Sequence, residues 1–297
     1  MPSTSQDRGV SRRTALAGAS AFGLTLAFAP RAHHVIAQEA TPASPPATPV
    51  EGQTVTVNGA DLYYEVHGPA AGQPVLLLHG SLGNTEEFDG LVPALVAAGY
   101  RSVAFDARAR GRSTWGDASP TFDQLAADAV GILDHLGIDQ ADVVGWSEGG
   151  TVALELAIHH WERLGRVVAY GASFAAEGSY AEPQVSDQMP PFEQFVEDYQ
   201  RLSPEPERFE ELLGVLPVPD YSEDELRSIA VPVLVLAGAE EEFFKPEHTR
   251  RMATLIPGAA LVIMPGTGHF APFAQPAEFN RIVLAFLASE LIATPTT

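Results

Sequence analysis

From residue 52 onward the hydrophobic positions follow two rhythms in turn. Residues 54–57 and 62–66 alternate apolar and polar side chains on either side of Asn58-Gly59, the pattern of two strands joined by a tight turn. Short continuous apolar runs then recur at 74–80 (PVLLLHG), 101–107 (RSVAFDA), 141–146 (ADVVGW), 165–172 (GRVVAYGA), 231–238 (VPVLVLAG) and 259–266 (AALVIMPG). Runs of that length predict strands covered on both faces. Between them, apolar positions fall at helical spacing. Phe88, Leu91, Leu95 and Val96 predict a helix over 85–98, and Phe122, Leu125, Ala129, Ile132 and Leu136 predict another over 121–136. Helices are also expected over 149–160, 246–255 and 276–291. Strand and helix in repeated succession imply an α/β fold, a mostly parallel eight-stranded sheet flanked by helices.

The rhythm breaks over about 174–230. That stretch holds seven prolines between short helical pieces, with 14 acidic and 3 basic residues. It reads as a short helical insertion above the sheet and not as an independent domain. The folded domain is expected over 52–297. Residues 38–51, rich in Pro, Ala and Thr, read as an extended linker.

The first 37 residues have another character. Arg12-Arg13 precedes an apolar stretch from Ala15 to Pro30, and Val35 and Ala37 satisfy a small-x-small cleavage rule. The segment 1–37 is expected to be a twin-arginine-type signal peptide. Its apolar stretch falls short of the roughly 20 residues a spanning helix needs, so cleavage is favoured over stable membrane insertion. The expected location is therefore outside the cytoplasm: periplasm, cell envelope or medium.

Composition then removes several kinds of chemistry. The chain has no cysteine, which excludes disulfides, thiolate metal sites and cysteine nucleophiles. Hydrophobic residues make up 45% of its 297 residues, enough for a full core. The net charge is −21, with 38 acidic against 17 basic residues, so nucleic acid is an improbable partner. His33-His34 and His159-His160 do not suggest a metal site, because adjacent helical residues point to different sides. No cofactor or metal is expected.

Ligands of open parallel sheets bind at the carboxyl ends of the strands. There the sequence places His79-Gly80-Ser81, Asp106, Ser147, the triplet Glu240-Glu241-Glu242, and His269. A serine, an acid and a histidine thus fall together at one end of the sheet. A serine hydroxyl needs a histidine to take its proton, and the imidazole needs a carboxylate to hold its tautomer. Two N–H groups must meet the oxyanion, a preorganised donor being worth about 3 to 4 kcal/mol. Ser147 lies within Gly145-Trp146-Ser147-Glu148-Gly149, where side chains at the glycines would block a sharp strand-to-helix turn.

The segments LLLHGSLGN, VAFDARARGRS, VVGWSEGG, VPVLVLAGAEEE and IMPGTGHFAPFAQPAEFNRIVLAFL resemble, in order, the landmarks of the α/β-hydrolase fold family. The likeness runs over 52–291. It implies Ser147 as nucleophile and His269 as base, with the backbone N–H groups of Ser81 and Glu148 as oxyanion donors. It implies Glu241 as the acid, where the family usually has aspartate, and Glu240 and Glu242 remain alternatives. DARARGRS carries Ala109 where the family usually has glycine; Asp106 and Arg108 are expected to be structural, and His79 to support the oxyanion loop by hydrogen bonds. GWSEGG is similar to the GWSDGG of valacyclovirase-like hydrolases, in which the acid helps bind a substrate amino group. By that likeness Glu148 and the acidic insertion hint at amine-bearing esters. The expected activity is hydrolysis of a small-molecule carboxylic ester through an acyl-enzyme. Lactonase, amidase or aminopeptidase, and cofactor-free haloperoxidase (perhydrolase) activities are alternatives on the same site. A non-catalytic binding protein on a hydrolase scaffold is the alternative from another class.

Overall fold

The computed structural model describes residues 52–288. The readings made for residues 1–51, signal and linker, lie outside them.

The chain opens with the hairpin β1 (Gln53–Val57) and β2 (Ala60–His67), whose turn residues Asn58 and Gly59 both take positive φ, 47° and 77°. Two positive φ values in a row match the twist of the flanking strands. The remaining strands are β3 (Pro74–Leu78), β4 (Arg101–Phe105), β5 (Ala141–Trp146), β6 (Leu164–Tyr170), β7 (Val233–Gly238) and β8 (Ala260–Met264). They form one sheet in the order β1-β2-β4-β3-β5-β6-β7-β8. β1 and β2 pair antiparallel with their neighbours, and every pairing from β4 to β8 is parallel.

The helices are α1 (Val92–Ala97), α2 (Phe122–His135), α3 (Glu148–His159), α4 (Phe192–Leu202), α5 (Phe209–Gly214), α6 (Glu223–Ser228), α7 (Pro246–Leu255), α8 (Ala271–Ala274) and α9 (Pro276–Leu287). Alternation along each strand supplies two cores. Leu76, Val103 and Val143 pack with Ile132 of α2, Leu154 of α3 and Met252 of α7. Val75, Ala104 and Val144, one position away, pack on the other face with Leu95 of α1 and Val283 of α9. Complete burial of each such aliphatic side chain is worth roughly 1.5–3 kcal/mol, which fixes the register of every strand.

The helix expected over 85–98 is two pieces, a 3-10 turn at Thr85–Phe88 and α1. Pro93 has no N–H, so a helix running through it would leave a carbonyl in the preceding turn unpaired; at the start of α1 no N–H is needed. Within 174–230, α4 and α5 meet Ala109 and Trp115 in a separate apolar cluster. The last piece behaves differently. α6 opens with a capping box, Ser222 with Glu225, and its Leu226 joins the core beneath α3 and α7.

Candidate active site

β5 ends at Trp146 and α3 begins at Glu148, leaving a single residue, Ser147, to make the turn. Ser147 does so at φ 57° and ψ −120°, a conformation that costs an ordinary residue roughly 1–3 kcal/mol. Its N–H still donates to Tyr170 O (2.8 Å), so the residue is held in line with the sheet. The two flanking glycines pass too close to other backbone for a side chain. A Cβ on Gly145 would stand 2.1 Å from Gly149 O, and one on Gly149 would stand 2.0 Å from Leu78 O. Ser147 therefore projects from the turn at the head of α3, where first-turn N–H groups have no intrahelical acceptor.

The loop after β8 carries His269. Its Nδ1 lies 2.7 Å from Glu241 Oε1, and both side chains are buried. Glu241 Oε1 also accepts the Phe243 N–H (3.2 Å), which fixes the carboxylate before the imidazole reaches it. The other glutamates are placed differently. Glu240 is exposed. Glu242 is buried, but it accepts the His269 backbone N–H (2.5 Å) and the Ser186 hydroxyl (2.5 Å), so it holds the His269 loop and not the ring. Gly171, at φ 54°, leaves the space for the pair: a Cβ there would lie 2.8 Å from His269 Nδ1. Trp146 Nε1 donates to His269 O (2.9 Å), linking the serine turn to the histidine loop. Gly171 carried no sequence signal beyond a glycine at a strand end.

The loop after β3 carries Ser81. Its carbonyl accepts Arg110 Nε (3.0 Å), and Arg110 Nη2 pairs with Glu148 Oε1 (2.7 Å) in a buried ion pair. The Ser81 side chain also hydrogen-bonds Glu148. Burial pushes the Glu148 carboxyl up, with Arg110 opposing the shift. This corrects the amine-binding expectation for Glu148. Its carboxylate is consumed by Arg110 and Ser81 behind the serine turn and does not line the cavity in front of it. Arg110 was missed in the sequence, although it sits inside DARARGRS. Beside it, Arg108 makes two bonds to buried Asp128 (2.5 and 2.7 Å), and Asp106 accepts the N–H groups of Thr85 and Arg112 (2.7 Å each), both structural as expected. Ala109 takes φ 63°, the left-handed conformation that glycine would adopt more easily. His79 is neutral and structural: Ala107 N–H donates to Nε2 (2.9 Å), and Nδ1 meets Gly80 O (2.7 Å). Burial holds the ring's pKa down to about 4.

Residues 73–192 match the family model for the alpha/beta hydrolase fold. RutD of Caulobacter sp. strain K31, named as a candidate carbamate hydrolase, is 30% identical over 80% of this chain and 99% of its own length. The chain belongs to the α/β-hydrolase fold family. Rhodomycin D methylesterase DnrP of Streptomyces peucetius is 30% identical over 74% of this chain and 92% of its own. In structure, the enol-lactonase of Burkholderia xenovorans LB400 aligns over 80% of this chain and 100% of that one, with a TM-score of 0.64 at 23% identity.

In this hydrolase Ser147 and His269 line one cavity of about 510 Å³, together with Gly80 and Ser81. Apart from Glu87, Ser179 and Tyr180, its other walls are apolar. Phe243, Phe244 and Phe270 surround the imidazole with ring centroids 4.6–5.7 Å away. Phe192, Phe195, Leu213 and Leu216 close the top from α4, α5 and the segment just after. A second chamber of about 490 Å³ adjoins it, sharing Leu82, Glu87, Trp146 and Met189 among its walls. No lysine or arginine lines either chamber among the described residues.

Proposed function

We propose that this hydrolase is an exported serine esterase of small carboxylic esters, working through an acyl-enzyme. One observation carries the reading: a strained, helix-capping serine and a carboxylate-held histidine face the same apolar cavity. With Nδ1 engaged by Glu241, the His269 tautomer leaves Nε2 free to take the Ser147 proton. Ser147 Oγ attacks the ester carbonyl, and the N–H groups of Ser81 and Glu148 receive the oxyanion. The imidazolium returns its proton to the leaving alcohol. Water then enters, loses a proton to His269 and attacks the acyl-enzyme; the bond to Ser147 Oγ breaks, His269 returns that proton to Oγ, and the acid is freed.

The cavity walls bear on the substrate class. Aromatic and aliphatic side chains favour an uncharged acyl or alkyl portion, and a substrate carboxylate would find no lysine or arginine to meet it. Three of the proteins similar to this one are named for carbamate, methyl ester and enol-lactone chemistry. A carbamate or a lactone offers the same carbonyl to Ser147, so these stand as the second reading.

A panel of p-nitrophenyl esters of rising acyl length, with a phenyl carbamate and a small lactone beside them, tests the activity. Wild type is expected to turn over the esters and to be labelled by a fluorophosphonate, with Ser147→Ala doing neither. Wild type that neither turns over nor labels would end the hydrolytic reading. Export is tested separately, by fractionating cells that express the full chain. Arg12→Lys with Arg13→Lys is expected to retain the protein in the cytoplasm.

A further inference from the structure

The oxyanion loop is gripped from the cavity side by an acid that the mechanism above leaves unused. Glu87 belongs to the 3-10 turn after the loop, and its carboxylate Oε2 accepts the Gly80 N–H (3.0 Å). The loop folds closely over it, since a Cβ on Gly83 would lie 2.0 Å from Glu87 Oε1. On the far side of Gly80, the His79 ring meets the carbonyl of the same residue (2.7 Å). That carbonyl and the Ser81 N–H belong to one planar peptide unit. Glu87 and His79 therefore hold Gly80 at both of its polar atoms and fix the direction of the Ser81 N–H. Among the described residues Glu87 is also the one carboxyl that lines the chamber holding Ser147, and it lines the adjoining chamber as well.

We propose that Glu87 is a positioning residue of the oxyanion hole, holding the Ser81 loop and setting the charge felt by the developing oxyanion. The inference rests on the serine-hydrolase reading. A negative charge at this wall would oppose the oxyanion, whereas a neutral carboxyl would brace the loop without that penalty. The surroundings decide between the two forms. Of the acids facing it, Glu148 at the head of α3 is held by Arg110, Asp106 after β4 by Arg112, and Asp198 of α4 by Arg201. Glu86, on its own turn, is held by Arg112 and Arg201. Among the described residues Glu87 has no such arginine, and His269 stands across the cavity. Burial pushes its carboxyl up to about 8, with the charges of Asp106, Asp198 and Glu148 adding and the Gly80 N–H opposing. The sign follows: below about pH 8 the group is neutral, and above it the wall gains a negative charge that raises the barrier.

The experiment follows p-nitrophenyl butyrate hydrolysis from pH 6 to 10 for wild type, Glu87→Gln and Glu87→Ala, with thermal melts of each. Glu87→Gln keeps an oxygen for the Gly80 N–H but cannot ionise. Wild-type kcat is expected to fall by about tenfold as pH passes through the Glu87 transition, a size set by one added charge near the oxyanion at surface-like screening. Glu87→Gln, normalised to its own rate at pH 7, is expected to lose that fall, and to keep more of the pH 7 rate than Glu87→Ala. Glu87→Ala, with no brace, is expected to lose about tenfold or more in kcat at pH 7 with KM little changed, as for a misplaced oxyanion donor. If Glu87→Ala does not fold, the pH profile of Glu87→Gln alone decides. A Glu87→Gln profile that keeps the wild-type fall, or a folded Glu87→Ala with wild-type kcat, overturns the proposal while leaving the esterase intact. Wild type without turnover at any pH overturns the esterase reading and this proposal together.

Discussion

The sheet ends and the insertion above them are built by different rules. At the sheet ends, polar groups are buried and held by specific partners. Arg110 with Glu148, Arg108 with Asp128, Glu241 with His269 and Glu242 with the His269 N–H are each held within 2.5–2.7 Å. In the insertion, charge lies at the surface in short-range pairs such as Arg208 with Glu211, and Phe192, Val185 and Val218 are exposed. Exposed pairs of that kind contribute about 0–1 kcal/mol each. The insertion meets the body through the bridge Ser179–Phe244, the Arg201–Glu86 pair, Trp115 with Tyr199, Ser186 with Glu242, and Leu226 in the core. The difference teaches where each property resides. The sheet ends hold Ser147, His269 and Glu241 in one geometry and tolerate little change, while the insertion contributes mostly wall to the cavity, with Ser186 and Gln188 as its polar ties to the His269 loop, and can vary more.

The three adjacent glutamates give the largest test of that contrast. On the proposed mechanism, Glu241→Gln leaves the shape but removes the charge that orients and stabilises His269, so kcat should fall by about 10⁴-fold, as for the equivalent change in known triads. Glu240→Gln, at an exposed position, should leave kcat unchanged. Glu242→Gln should fall between, because it loosens the loop and not the ring. Steady-state rates on a p-nitrophenyl ester settle the order; equal losses at 240 and 241 would break the assignment.

Next in size is a glycine in the body. Gly149→Ala would place a methyl 2.0 Å from Leu78 O, where neither backbone can yield without moving β3 from α3. The expected loss is about 3 kcal/mol or more, at or beyond the upper end for overpacked cores. A denaturant melt reads it directly, and a loss under 1 kcal/mol would show the turn to be looser than the geometry implies.

The insertion should answer differently. Leu213→Ala widens the roof of the cavity without touching Ser147, His269 or Ser81. Preference should move toward longer acyl chains by about tenfold in the ratio of kcat/KM values, the usual worth of one or two methylenes in a pocket. The kcat for the best substrate should stay within a few fold. An unchanged chain-length profile would remove α5 from the binding wall.

Legibility followed the same division. Strand runs such as PVLLLHG and VVGW announce themselves because a strand covered on both faces must be apolar throughout. The hairpin at Asn58-Gly59 was legible because two positive φ values demand such residues. Serine, glutamate and histidine were legible as polar residues interrupting apolar runs at strand ends. The hint of an amine-binding side chain at Glu148 failed because sequence gives a side chain's place along the chain and not its direction. The partner that turns it away, Arg110, is 38 positions distant. Glu87 was invisible for a related reason: on a helical turn rich in acids, nothing in the pattern tells the glutamate turned onto Gly80 from the one beside it. The break at Pro93 was in the sequence and was outweighed by the apolar spacing around it.

The smallest effect is expected at one glycine of the insertion, Gly214. Gly214 ends α5 with ordinary φ, and a Cβ there would meet nothing within 4 Å. Alanine at such a site restricts the unfolded chain without straining the folded one, so Gly214→Ala should stabilise by about 0.4–1 kcal/mol. The comparison with Gly149→Ala is internal: one substitution, one chain, opposite signs. Both melts read ΔG of unfolding under the same conditions, so errors of extrapolation largely cancel. The rate with a short-chain ester should not change, because Gly214 lines no wall of the cavity. A destabilised Gly214→Ala would mean that the insertion is packed as tightly as the sheet ends, and the contrast between the two regions would fail at its weakest point.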